Sequence, residues 1–236
     1  MNSPILIFAT GGRTGSTWVA RALTATGGVL IWPETGLLQA ALAHARSVDW
    51  GSNLQEFRED RTVRYCLRPG RGDFLAGLRA STETTFGPSA KREGFPRWGT
   101  KELYWRVEDL QTAAEIWPEA KIVLLARRFR DTFASAIGLP EFETVACKVE
   151  FIRSWLGIAR EAAYARRAGL PLITARYEDL IADNCRGLAQ ECGLPEPPLL
   201  DVFNSSRREI TPADEDLLRP FADEIASLDA SIGYSP

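Results

Sequence analysis

The chain has a single histidine, His44, and only four cysteines, Cys66, Cys147, Cys185 and Cys192, none of them in a Cys-x-x-Cys pair. That argues against a zinc site, and so few unpatterned thiols fit a reducing cytoplasm better than a disulfide framework. No apolar run reaches the roughly 18 residues of a membrane span. Met1 to Ile5 carry no basic n-region, and the apolar stretch behind them stops at Gly11, which argues against a secretory signal. Positive charge does not dominate: 28 Lys and Arg against 31 Asp and Glu leave a net charge of −3, and non-specific coating of nucleic acid needs the opposite sign. Lysine is scarce beside the 24 arginines. Arginine suits bidentate contacts with anions, although a GC-rich genome raises its count without any function. What remains is 236 residues, 45% apolar and 25% charged, a globular balance that excludes disorder and a fibre.

Ile5 to Thr10 is a short apolar run between Pro4 and Gly11-Gly12 and reads as a buried strand. Thr17 to Thr26 has helical spacing at Trp18, Ala22 and Ala25 and stops at Gly27-Gly28. Val29 to Trp32 is a second strand, and Leu37 to Arg46 is helical. Strand, glycine loop, helix and strand in that order favour a parallel α/β sheet. Arg58 to Arg97 is rich in Arg, Gly and Pro without a long period, and residues from about 50 to 97 read as a substrate-facing insertion over one sheet edge. Lys121 to Ala126 is a strand, and Asp131 caps a helix over Asp131 to Ile137. Val145, Val149, Ile152, Leu156, Ala159 and Ala163 form one stripe of a long helix. Leu172 to Ala175 is a strand, Glu178 to Cys192 a helix, and Asp214 to Asp229 helical. With no repeat and no linker, residues 1–236 read as one α/β domain.

Between the first strand and its helix stands Thr10-Gly11-Gly12-Arg13-Thr14-Gly15-Ser16-Thr17-Trp18. Glycines there let several N–H groups converge on one anion, and the helix adds its positive end. Arg13 supplies a charge, and Thr14, Ser16 and Thr17 supply hydroxyls, so the loop reads as a phosphate or sulfate cradle. It is not a Walker A loop, because Ser16 follows Gly15 where that pattern has lysine. A second anion site is expected at the end of the strand Lys121 to Ala126. It delivers Arg127 to the carboxyl edge, where open parallel sheets bind ligands, and Ser135 lies within reach of the same anion. Arg128 and Arg130 are expected to be solvated or paired with Asp131. Two anion sites on neighbouring strand-to-helix turns suggest a ligand with two separated phosphates.

These stretches resemble the sulfotransferases that use 3′-phosphoadenosine 5′-phosphosulfate (PAPS). Gly12-Arg13-Thr14-Gly15-Ser16-Thr17-Trp18 resembles the family's 5′-phosphosulfate loop, with Arg13 in place of the usual lysine, as in the carbohydrate and tyrosylprotein branches. Arg127 to Asp131 with Ser135 resembles the 3′-phosphate motif, although Arg128-Phe129 stands where the family often has Asp-Pro or Asn-Pro. Trp98-Gly99-Thr100-Lys101 resembles the segment that supplies a lysine near the transferred group. Arg176-Tyr177-Glu178-Asp179-Leu180 resembles the stretch whose tyrosine lies near the adenine. The glycine-rich C-terminal motif of the aryl branch is absent, and Ser205, Ser206 and Arg207 are assigned part of its role. The resemblance implies a P-loop-like three-layer α/β sandwich with a central, mainly parallel sheet. It also implies PAPS as co-substrate and 3′-phosphoadenosine 5′-phosphate (PAP) as product.

Sulfuryl transfer to a hydroxyl needs a base on the acceptor side and cations near the leaving group. Arg13 and Lys101 are the expected cations, so no metal is required. Glu34 is the preferred base, near the phosphate loop if the first two strands are neighbours; the carbohydrate and tyrosylprotein branches place a glutamate similarly. His44 is the alternative, since the aryl branch uses a histidine. The expected acceptor is a small-molecule or carbohydrate hydroxyl, with no nucleic-acid partner; the oligomeric state is not readable. The competing readings are a P-loop nucleotide kinase, opposed by Arg13 and Arg127, and a non-catalytic nucleotide-binding module, which would have no use for Glu34 and Lys101.

Overall fold

The computed structural model describes residues 3–34, 36–47, 70–201 and 208–234. Five strands make one all-parallel sheet: β1 (Ile5–Ala9), β2 (Leu30–Trp32), β3 (Trp98–Glu102), β4 (Lys121–Ala126) and β5 (Leu172–Arg176), in the order β2-β3-β1-β4-β5. β1 and β4 read as unbroken apolar runs because helices cover both faces. Alternation along β1 sends Leu6 and Phe8 to one core and Ile5, Ile7 and Ala9 to the other. Helices α1 (Ser16–Ala25), α7 (Tyr177–Ala182) and α8 (Arg186–Glu191) supply the second core. The first is filled by α2 (Leu37–Ser47), α3 (Arg71–Arg92), α4 (Val107–Ile116), α5 (Phe129–Ala136), α6 (Val145–Arg167), α9 (Pro212–Leu218) and α10 (Ala222–Ser231). Among the described residues no helix is long and apolar enough to cross a membrane.

The expected α/β sandwich is therefore the observed one, with three departures that bear on function. β1 and β2 are not neighbours, because β3 lies between them. Gly99 permits this close fit: a Cβ there would lie 2.3 Å from the Ile5 carbonyl oxygen. α5 begins at Phe129, with Arg128 at the N-cap position and Asp131 inside the first turn, so Asp131 is not the cap. The helix expected over Glu178 to Cys192 is split into α7 and α8, because Asn184 and Cys185 take left-handed backbone angles.

α3 occupies much of the stretch in which the sequence shows no period. Its interior is rich in threonine and serine, and Pro88 removes one helical donor. Thr82, Thr84, Thr85 and Ser89 bond back to carbonyls four residues earlier. Phe86 and Ala90 are buried, with Phe86 stacked on Trp98 at 5.2 Å, and Arg71 reaches Glu115 on α4 at 2.6 Å. Residues 50–69 of the expected insertion lie outside the described residues. The long stripe on α6 holds from Ile152 onward, while Val145 at its start is exposed.

Candidate functional site

The chain leaves β1 toward β2 and β3, and leaves β4 toward β5, so the order of the sheet reverses between β1 and β4. Crevices form at such points, beyond the carboxyl ends of the strands. The glycine loop follows β1 there. Gly11, Arg13 and Gly15 have positive φ, alternating with Gly12 and Thr14, which do not. This alternation turns successive N–H groups toward one side. Ser16, Thr17 and Trp18 then open α1, whose first-turn N–H groups have no partners within the helix. Thr14 departs from its expected role: it is buried, and its hydroxyl donates to the Gly11 carbonyl at 3.1 Å, bracing the loop from inside.

The β4–α5 turn interlocks with this loop. Arg127 Nη1 donates to the Arg13 carbonyl at 2.8 Å and so holds a non-glycine residue at φ 66°. In return Arg13 Nε donates to Ser135 Oγ at 3.3 Å. The Arg127 guanidinium lies 4.6 Å from the centre of the Tyr177 ring. That ring covers Gly15 so closely that a Cβ at position 15 would fall 2.0 Å from it. Trp18 meets Tyr177 edge-on at 6.3 Å. Burial raises the Tyr177 hydroxyl above its usual range, against the opposing pull of Arg127. Two buried donors beside this ring, Arg127 Nε and Trp18 Nε1, have no protein hydrogen-bond partner. Unpaired buried donors are costly, so these two are candidate contacts for an anionic ligand. Arg130 pairs with Glu215 and not with Asp131, and Arg128 lies over the Tyr234 ring.

Lys101 reaches the loop from β3. It pairs with Ile7 of β1 in the register, and its buried ammonium donates to Thr17 Oγ1 at 3.2 Å. The same nitrogen lies 2.6 Å from Glu34 Oε1, two residues past β2. Glu34 thus reaches the site across β3, by way of Lys101, and not as a neighbour of β1. Gly12, Arg13, Gly15, Thr17, Trp18, Lys101, Glu34, Arg127, Ser135 and Tyr177 are therefore brought together at the carboxyl edge of the sheet. His44 is not brought there: it is exposed in α2, with its ring 5.4 Å from that of Phe74. Arg207, with Ser205 and Ser206, lies outside the described residues. Among the described residues no group of His, Cys, Asp and Glu could hold a metal ion.

Glu102, beside Lys101, was not singled out by sequence reasoning. It is 2% exposed, and its Oε1 has no protein partner. Burial first, and then the Glu34 carboxylate, raise its pKa to about 7, against the opposing effect of Lys101. The only signal was an acid ending a strand that is otherwise of buried type. A raised folded-state value means that the folded chain holds a proton the unfolded chain has lost between about 4.5 and 7. Stability from this group is present below about 4.5 and is lost as pH rises through 7. Wild type should therefore lose several degrees of Tm relative to Glu102→Gln between pH 5 and pH 8; parallel Tm-versus-pH curves for the two proteins would contradict this.

A family model described as "Sulfotransferase family" matches residues 4–197. No curated protein sequence matches the chain. Solved structures share the fold, and three of them match over nearly the whole chain. The sulfotransferase from Alicyclobacillus acidocaldarius is 16% identical with a TM-score of 0.57, over 100% of this chain and 98% of that one. The sulfotransferase domain from the curacin biosynthetic pathway is 17% identical with a TM-score of 0.53, over 99% of each chain. The sulfotransferase domain from the Synechococcus PCC 7002 olefin synthase is 17% identical with a TM-score of 0.54, over 100% of this chain and 97% of that one.

Proposed function

The chain belongs to the sulfotransferase family, and on that premise we propose that it transfers the sulfuryl group of PAPS to a hydroxyl of a small-molecule or carbohydrate acceptor. The observation that carries this reading is the interlock of the two anion-binding turns, Arg127 on the Arg13 carbonyl and Arg13 on Ser135. It sets two arginines with separate side chains at one switch point, as a nucleotide with phosphates at 3′ and 5′ requires. In this reading the N–H groups from Gly12 to Trp18 and the hydroxyls of Ser16 and Thr17 hold the 5′-phosphosulfate. Arg127 and Ser135 hold the 3′-phosphate, and Tyr177 and Trp18 pack beside the adenosine.

Transfer is an in-line displacement. Glu34 accepts the proton of the acceptor hydroxyl, the acceptor oxygen forms its bond to sulfur, and the bond from sulfur to the bridging phosphate oxygen breaks. That oxygen keeps the electron pair, and PAP and a sulfate ester result. Lys101 and Arg13 stabilise the charge on the departing oxygen, as positioned cations do at developing oxyanions. The Glu34–Lys101 ion pair gives the two roles a common switch. A sulfuryl group beside Lys101 competes for its ammonium and leaves the Glu34 carboxylate available to the acceptor hydroxyl.

Because side-chain cations neutralise the leaving group, turnover is expected to be unchanged in EDTA; activity that vanishes in EDTA and returns with Mg²⁺ would point to the Lys-plus-Mg²⁺ arrangement of nucleotide kinases. Among the described residues Cys147, Cys185 and Cys192 form no disulfide, which supports a reducing cytoplasm as the compartment. The function itself is tested with ³⁵S-labelled PAPS and a panel of sugars and hydroxylated metabolites. A labelled sulfate ester from at least one acceptor is expected, with an equal amount of PAP released. Failure to transfer label to any of them, together with failure to bind PAP, would contradict the assignment.

A further inference from the structure

The family match stops at residue 197, yet the segment 208–234 closes over the β4–α5 turn. Asp229 of α10 accepts the Phe129 N–H at 3.1 Å through one oxygen and at 3.4 Å through the other. Tyr234, 5% exposed, turns its hydroxyl to the opposite side of the turn. The hydroxyl shares its proton between the Ala126 carbonyl at 3.0 Å and Glu178 Oε2 at 2.6 Å. Burial and the Glu178 carboxylate raise the phenol well above its usual range, so it remains a donor. The segment is itself anchored, by Arg166 on the Ser231 carbonyl at 2.5 Å and Arg176 on the Gly233 carbonyl at 3.2 Å.

Ala126 ends β4 and Phe129 begins α5. The two backbone groups held by Tyr234 and Asp229 therefore bracket Arg127 and Arg128. The third tie, Glu178, is the residue after Tyr177, whose ring lies against the Arg127 guanidinium. We propose that Tyr234 and Asp229 are positioning residues for 3′-phosphate recognition: they fix the backbone on both sides of Arg127, so that the guanidinium meets the 3′-phosphate with the turn already ordered. The inference rests on the reading of Arg127 as the 3′-phosphate ligand. A loop ordered before binding keeps affinity that a mobile one spends on ordering.

The test is a ratio of affinities measured by calorimetry, with PAP and adenosine 5′-monophosphate, which lacks the 3′-phosphate, as probes. Tyr234→Phe keeps the ring and removes the hydroxyl. It is expected to weaken PAP about tenfold, the effect of one lost hydrogen bond, and to leave adenosine 5′-monophosphate within about twofold. Asp229→Ala, which also reads the effect should Tyr234→Phe not fold, is expected to lower the ratio similarly, while Asp229→Asn keeps an acceptor for the Phe129 N–H and should restore it. A merely structural role would weaken both nucleotides together. A wild-type preference for PAP that survives unchanged in folded Tyr234→Phe and Asp229→Ala overturns the positioning role alone. A wild type that binds both nucleotides equally overturns the reading of Arg127, and this inference with it.

Discussion

Arg127→Ala is expected to weaken PAP binding by about 2–5 kcal/mol, the cost of removing one side of a charge-assisted contact. The loss has two sources. The guanidinium is the proposed partner of the 3′-phosphate, and it also holds the Arg13 carbonyl, and with it the left-handed Arg13, at 2.8 Å. The nucleotide separates them, because loosening of the Arg13 loop weakens adenosine 5′-monophosphate and PAP alike, whereas loss of the phosphate contact weakens PAP alone. Calorimetry on the variant should show the larger loss for PAP. Unchanged PAP affinity would remove Arg127 from the site.

Glu34→Gln is expected to lower turnover at least about a hundredfold while PAP affinity stays nearly constant, since positioned bases contribute about 10²–10⁴-fold. The substitution preserves size and removes the charge that faces Lys101 at 2.6 Å. Lys101 is 3% exposed, so Lys101→Ala combined with Glu34→Gln should cost less than the product of the single effects, as contacting residues do. His44→Asn should leave turnover unchanged, because His44 is exposed in α2 and packs beside Phe74. If His44→Asn abolishes turnover and Glu34→Gln does not, the two roles are reversed.

The parts of the fold legible in the sequence are those whose patterns are local. β1 and β4 are unbroken apolar runs, and the loop from Gly11 to Gly15 carries its glycines and its arginine within seven residues of β1. The arrival of Arg127 at a carboxyl edge follows from a strand ending at Ala126. Strand order is not local: nothing in Val29 to Trp32 indicates that β3, about 65 residues later, inserts between β1 and β2. For the same reason Glu34 reached the site by a route the sequence did not suggest. α3 was hidden because threonine and serine occupy its exposed turns and a few residues, Phe86 and Ala90 among them, bury its inner face. Asp229 and Tyr234 left no signal, since their partners at Phe129 and Ala126 lie 100 and 108 residues away in the chain.

The central claim is that the crevice between β1 and β4 reads two phosphates on one nucleoside, and its most direct measurement is calorimetric titration of the wild-type protein in EDTA with PAP and with adenosine 5′-monophosphate. The account predicts PAP binding without metal, at least about thirtyfold tighter than adenosine 5′-monophosphate, the lower end of the cost of a missing charge-assisted contact. Equal affinity for the two nucleotides, or no binding of PAP until Mg²⁺ is added, would contradict it.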